Sequence, residues 1–178
     1  MEYLHHYHSN LIGPLTLASD GKSITGLWLY GQKYYADTLG QNYIERDLPI
    51  FRRADKWLDI YFSGRAPDFV PPLKMKTTPF RQMVWEIMLT IPFGQTMTYG
   101  EIAREVAKRK NLSKMSAQAV GGAVGHNSIS LIIPCHRVVG ANGNLTGYAG
   151  GIDKKLKLLQ LEHANTNKSF IPFTNSTS

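Results

Sequence analysis

The sequence predicts an α+β protein in two units: a small N-terminal α/β unit at residues 1–76 and a mainly helical unit at residues 77–165, followed by a polar tail at residues 166–178. Three observations carry this. Residues 15–18 and 23–30 are apolar, β-prone runs either side of Asp20-Gly21, which reads as a hairpin. Apolar residues at helical spacing dominate the rest of the chain. Between the units, Pro67, Pro71 and Pro72 mark a linker at residues 65–76.

In the first unit, His5-His6-Tyr7-His8 places His6 and His8 on one face of a strand. No cysteine or carboxylate stands at a ligand spacing, so an exposed edge strand is predicted rather than a metal site. Leu48, Phe51, Ala54, Trp57, Leu58, Tyr61 and Phe62 recur as a helical stripe, with Arg52, Arg53, Lys56 and Asp59 outside and Gly64 as the stop. Residues 1–70 show no chemistry and read as a supporting unit.

The second unit opens at Thr78-Pro79, an N-cap followed by proline at the first helical position. Phe80, Val84, Ile87, Met88 and Ile91 line its buried face. Thr98 and Glu101 form a capping box for the next helix, which buries Ile102, Ala103 and Val106. A basic connector at residues 108–114 leads to a short helix at 116–124, and the pair reads as a helix-turn-helix. That second helix carries almost no side-chain bulk. Tight packing against the first helix and close approach to DNA both explain its glycines. The last helix, residues 152–162, is predicted to bury Leu156, Leu159 and Leu161 and to expose Lys154, Lys155 and Lys157. Glu162 falls at its C-terminal end, where the helix dipole disfavours an anion and a partner is needed.

With 43% hydrophobic and 19% charged residues, the chain of 178 residues is of globular composition. No apolar run approaches the roughly 18 residues that span a bilayer, and no signal peptide is evident. A lone cysteine rules out an intramolecular disulfide and fits a reducing cytoplasm. Residues 1–76 hold 9 lysines and arginines against 8 acidic residues, while residues 77–178 hold 11 against 5. The excess of positive charge points to a polyanion partner for the second unit.

That unit also contains the one thiol, in Pro134-Cys135-His136-Arg137-Val138. Neighbouring cations favour a thiolate. Residues 129–133 read as a buried extended run ended by Pro134, with turn residues Gly140, Asn142, Gly143 and Asn144 following. Adjacent residues do not face each other in regular structure, so a Cys135–His136 link needs a bridging water or an irregular turn.

This stretch, with Gly121-Gly122 and Asn127-Ser128 upstream and Gly147 to Gly151 downstream, resembles the active-site signature of the O6-alkylguanine-DNA alkyltransferases. The resemblance runs from about Thr78 to Glu162. It implies a ribonuclease H-like N-terminal domain and a winged helix-turn-helix domain. It also implies a protein that flips O6-alkylguanine, and O4-alkylthymine, out of the duplex and moves the alkyl group irreversibly to its own cysteine, once per molecule. Cys135 would be the acceptor, His136 the base acting through water, Glu162 the group that orients it, and Tyr99 the hydroxyl on the leaving purine. Gln118, Ala119 and Gly121 would face DNA, and Asn127 would tie the helix-turn-helix to the active-site loop. Val138, Tyr148, Ala149 and Gly150 would line the base pocket. Double-stranded DNA is the implied partner, entered mainly through the minor groove by a cytoplasmic monomer, with no cofactor, metal or membrane. Two positions depart from the family pattern: Gln118 stands where arginine is usual, and Ala149 where serine is frequent. A cysteine hydrolase, a lesion binder without transfer and a DNA-binding regulator are the competing readings. The first is disfavoured by the adjacent nucleophile and base, the second by the presence of Cys135, and the third by the lack of a cysteine-rich extra domain.

Overall fold

The structure, a computed structural model, describes residues 1–145 and 147–164; the predicted tail lies outside the described residues. Strands β1 (Glu2–Ser9), β2 (Gly13–Ser19) and β3 (Ile24–Leu29) form an antiparallel meander, and β4 (Tyr43–Glu45) pairs parallel with the start of β1. The sheet order is β3-β2-β1-β4. The first strand is therefore not the edge the sequence predicted: β4 covers Glu2 to Leu4. His6 and His8 are exposed as expected, and His6 pairs with Glu45 on β4.

Helix α1 (Pro49–Phe62) lies on this sheet and buries Phe51, Ala54, Trp57, Leu58 and Tyr61. Its apolar stripe continues without a break into the second unit. One core joins Leu17, Leu27, Phe51 and Leu58 to Val84, Ile87, Val106 and Ile133.

Helix α2 (Pro79–Met88) starts as the sequence predicts, with Thr78 Oγ1 accepting from Arg81 N. Strand β5 (Met97–Thr98) leads into α3 (Tyr99–Arg109), where Thr98 Oγ1 accepts from Glu101 N. Helix α4 (Ala117–Gly125) packs on α2 and α3, and Trp85 Nε1 donates to Ala123 O. Its buried residues are Val120, Ala123 and Val124. A Cβ at Gly122 or Gly125 would meet nothing among the described residues, and at Gly121 it would make ordinary contact with Tyr99. Packing inside the protein thus does not explain these glycines.

The run at residues 129–133 is buried but not extended. It forms a turn in which Leu131 has φ +70° and Ile133 N donates to Ile129 O. The reason lies in the free edge of β3: Leu27 N donates to Ser128 O and Ser130 N to Leu27 O, so β3 satisfies the polar backbone at the mouth of the turn. The linker occupies the same edge through Pro72 O and Lys74 N on Ile24. After this turn come a 3₁₀ turn (Cys135–Arg137), β6 (Val138–Val139), which pairs parallel with β5, and α5 (Ile152–Leu161).

Candidate active site

Cys135 opens the 3₁₀ turn, its N–H donating to Ile133 O at 2.9 Å, and it is 4% exposed. Asn127 braces the approach: its Nδ2 donates to Ile133 O at 2.8 Å and its Oδ1 accepts from Ile129 N at 3.0 Å. Burial pushes the thiol's pKa up. Hydrogen bonding from Asn127, the charge of Lys155 and Ser130 bring it part of the way back. The neighbours that the sequence credited with stabilising a thiolate are pointed elsewhere. Arg137 Nε donates to Glu162 Oε1 at 2.8 Å, and its Nη1 to Ile91 O at 2.8 Å.

His136 is fully buried. Its Nε2 lies 2.5 Å from Glu162 Oε2, which fixes the proton on that nitrogen and leaves the lone pair on Nδ1. Nδ1 is buried and has no hydrogen-bond partner among the described residues. Burial lowers the pKa of His136 despite the facing carboxylate. Glu162 caps the C-terminal end of α5 and, as the dipole argument required, has partners. Burial opposes its ionisation, but His136 and then Arg137 outweigh burial and hold it down at about 2. Gly94 N adds a bond to Oε1 at 3.0 Å, and the Tyr61 hydroxyl donates to Oε2 at 2.6 Å.

Tyr99, the first residue of α3, reaches Gly147 O at 3.4 Å. Its pKa is pushed up to about 12 by burial and then by the charge of a Cys135 thiolate. Tyr148 is raised well above the usual tyrosine range by the same two causes. Gly150 leaves room for its neighbours: a Cβ there would come within 2.8 Å of Tyr148 Cε1 and 3.0 Å of Leu29 Cδ2, so these side chains would have to shift. The backbone of Val138 is committed, its N–H to Cys135 O and its carbonyl to Lys155 Nζ at 2.5 Å. Gln118 and Ala119 are exposed on the first turn of α4, and Gly121 lines a cavity of about 280 Å³ together with Tyr148 and Ala149.

Four residues here escaped the sequence reading. Lys155 was predicted outside and is fully buried, its Nζ 6.0 Å from the centroid of the Tyr148 ring. Burial drives its pKa down to about 8 although the Cys135 charge opposes this. Its spacing carried the signal, since Lys155, Leu158, Leu159 and Glu162 fall at i, i+3, i+4 and i+7 on one face. Tyr61 was read as core only; its stripe gave burial but not the use of its hydroxyl. Tyr34 stacks on His126 at 4.0 Å, and with Lys33, whose N–H donates to Ala149 O, it closes the cavity from the N-terminal unit. No periodic pattern marked that loop.

Two family models match the chain: 6-O-methylguanine DNA methyltransferase, ribonuclease-like domain, over residues 3–75, and 6-O-methylguanine DNA methyltransferase, DNA binding domain, over residues 79–164. A methylated-DNA–protein-cysteine methyltransferase of Mycobacterium bovis is 44% identical over 151 residues, covering 85% of this chain and 87% of its own. One from Haemophilus influenzae is 38% identical over 157 residues, covering 88% and 84%. A crystal structure of Mycobacterium tuberculosis OGT in complex with DNA matches with a TM-score of 0.78 at 42% identity, covering 91% of this chain and 93% of that one.

Proposed function

The chain belongs to the methylated-DNA–protein-cysteine methyltransferase family, and on that premise we propose that it repairs duplex DNA by moving the alkyl group of O6-alkylguanine onto Cys135. The observation that carries the assignment of residues is the buried His136–Glu162 pair beside the only thiol of the chain.

The lesion lies inside the base stack, so the nucleotide has to be turned out of the duplex before a thiol can reach it. The base is received beside Tyr148, whose ring faces Cys135 and is given its room by Gly150. Burial keeps Cys135 a thiol at rest, so its proton has to leave as the reaction begins. It passes through a water to Nδ1 of His136, the ring nitrogen with the lone pair, while Glu162 holds the other nitrogen and stabilises the imidazolium. Lys155 offsets part of the burial cost of the thiolate. Sulfur then attacks the alkyl carbon in line with O6; the C–S bond forms as the C–O bond breaks. Tyr99 donates to the purine as negative charge builds on it. The thioether is stable, so each molecule acts once, and the step needs no cofactor.

In this reading residues 1–76 support a DNA-binding alkyltransferase domain at 77–165, and α4 enters the minor groove with Gln118 filling the vacated stack. Asn127 ties that helix to the reactive turn, Val138 backs the pocket, and the protein works as a monomer in the cytoplasm. Cys135→Ala tests the assignment. It should abolish transfer while leaving affinity for methylated duplex unchanged, and transfer that persists in this variant would refute it. Tyr99→Phe should slow transfer far more than it weakens binding, because the hydroxyl acts on the leaving purine.

A further inference from the structure

Tyr61 belongs to α1, in the unit with no assigned chemistry, yet its hydroxyl ends inside the active site. The ring is held on several sides: Trp57 stacks at 5.3 Å, and Phe62 and Phe93 meet it edge-on at 5.3 and 6.0 Å. The hydroxyl lies 2.6 Å from Glu162 Oε2, the same oxygen that takes His136 Nε2, and 3.2 Å from that nitrogen. With the proton of His136 on Nε2, that nitrogen and the hydroxyl both donate to Oε2, and the 3.2 Å approach between them is a side contact. With Arg137 and Gly94 on Oε1, Glu162 receives four donors. That matches the roughly four lone-pair sites of a carboxylate.

We propose that Tyr61 is a positioning residue of the transfer reaction: its hydroxyl locks Glu162 in place from the N-terminal unit and weakens Glu162 as a partner for a protonated His136, so that His136 rests neutral with Nδ1 free to accept. The proposal rests on the base role given to His136 above. The titratable and charged groups around His136 are Glu162 and Lys155 from α5, Arg137 and Cys135 from the 3₁₀ turn, Tyr148 from the following loop and Tyr61 from α1. Glu162 is the one that favours the imidazolium, while Arg137 and Lys155 oppose it. A carboxylate that shares Oε2 with a second donor attracts the imidazolium less. Removing that donor strengthens the remaining bond and raises the pKa of His136.

Tyr61→Phe keeps the ring and its stacking and removes only the hydroxyl. The experiment follows the His136 ring resonances and the single-turnover transfer rate from O6-methylguanine duplex across pH, in wild type and variant. The His136 titration should move up by about one pH unit, a tenfold change in its protonation equilibrium. The transfer rate at the acid end should fall by a similar factor, with the plateau rate held. Phe62→Leu loosens the same aromatic cluster without touching the hydroxyl; it should lower the melting temperature and leave the titration in place. A titration that coincides in wild type and Tyr61→Phe, or that shifts equally in Phe62→Leu, overturns the proposal. Transfer at the wild-type rate in His136→Ala overturns instead the base role on which it rests.

Discussion

Helices α4 and α5 invert the usual pattern in opposite ways. Helix α4 turns Ala117, Gln118, Ala119 and Gly122 outward, so its exposed face has little side chain on it. Helix α5 turns Lys155 inward and ends on buried Glu162. Each arrangement costs stability. Glycine in a helix is about 1 kcal/mol worse than alanine, and a buried ammonium loses its hydration. The two costs serve different purposes. The bare face of α4 leaves open space at Gly122 and Gly125 that no atom of the described residues fills, which suits a second molecule. The charges of α5 act on the protein's own atoms, Lys155 on Val138 and Cys135, Glu162 on His136 and Arg137.

The largest break in this comparison is Glu162→Ala. Removing one member of a buried ionic cluster leaves the others unpaired and should cost about 3–5 kcal/mol in urea unfolding, with transfer lost. The pH dependence has a definite sign. Glu162 is held at about 2 in the fold against an ordinary 4.5, so the unfolded chain takes up the proton first as pH falls. The stability it supplies is present in full above about 4.5 and is lost as pH drops toward 2, on the order of 3 kcal/mol in all. Glu162→Ala should lack this share of acid sensitivity.

Lys155→Met probes the same face in the other direction. Lys155 is depressed to about 8 from 10.5, so between those values the unfolded chain holds a proton that the fold does not. Wild type should gain up to about 3 kcal/mol relative to Lys155→Met as pH rises through that window. The variant should transfer more slowly at neutral pH, since it lacks the charge facing the thiolate. Equal transfer rates would make Lys155 a structural residue only.

Much of the fold was legible because its signals are local. The caps at Thr78 and Thr98, the hairpin about Asp20-Gly21 and the α1 stripe each rest on residues within one or two turns of each other. The failures share a cause: a distant segment decided the outcome. Residues 129–133 have the composition of a strand, but the edge of β3 takes their flanking polar groups and Leu131 turns the chain. The first strand is partly covered because β4 returns to it across about 40 residues of chain. Lys155 is a surface residue by type, and groups distant in sequence, among them the carbonyl of Val138 and the ring of Tyr148, meet it where it is buried. Within the site, Cys135 and Glu162 stood out by residue type and position, and the roles of Cys135, His136 and Glu162 came from motif resemblance. Tyr61 did not, since burial at helical spacing says nothing about where a hydroxyl ends.

Smaller effects test α4. Gly122→Ala meets no neighbour among the described residues, so it should stabilise the protein by about 1 kcal/mol while weakening binding to duplex DNA. A gain in stability with unchanged binding would mean that this face does not meet DNA. The smallest expected change is Gln118→Arg. An arginine that stacks on bases should tighten duplex binding by about 0.5–1 kcal/mol and speed repair of duplex, leaving transfer from free O6-benzylguanine unchanged because a free base needs no flipping. If both rates shift together, Gln118 acts through the pocket instead.

The most direct measurement is peptide mass spectrometry after incubation with duplex carrying a single O6-methylguanine. The peptide containing Cys135 should gain one methyl group in stoichiometric yield while the DNA loses its own, and a second portion of substrate should remain unrepaired. A methyl group found on any other residue, or DNA repaired over several turnovers with Cys135 unmodified, would contradict the account.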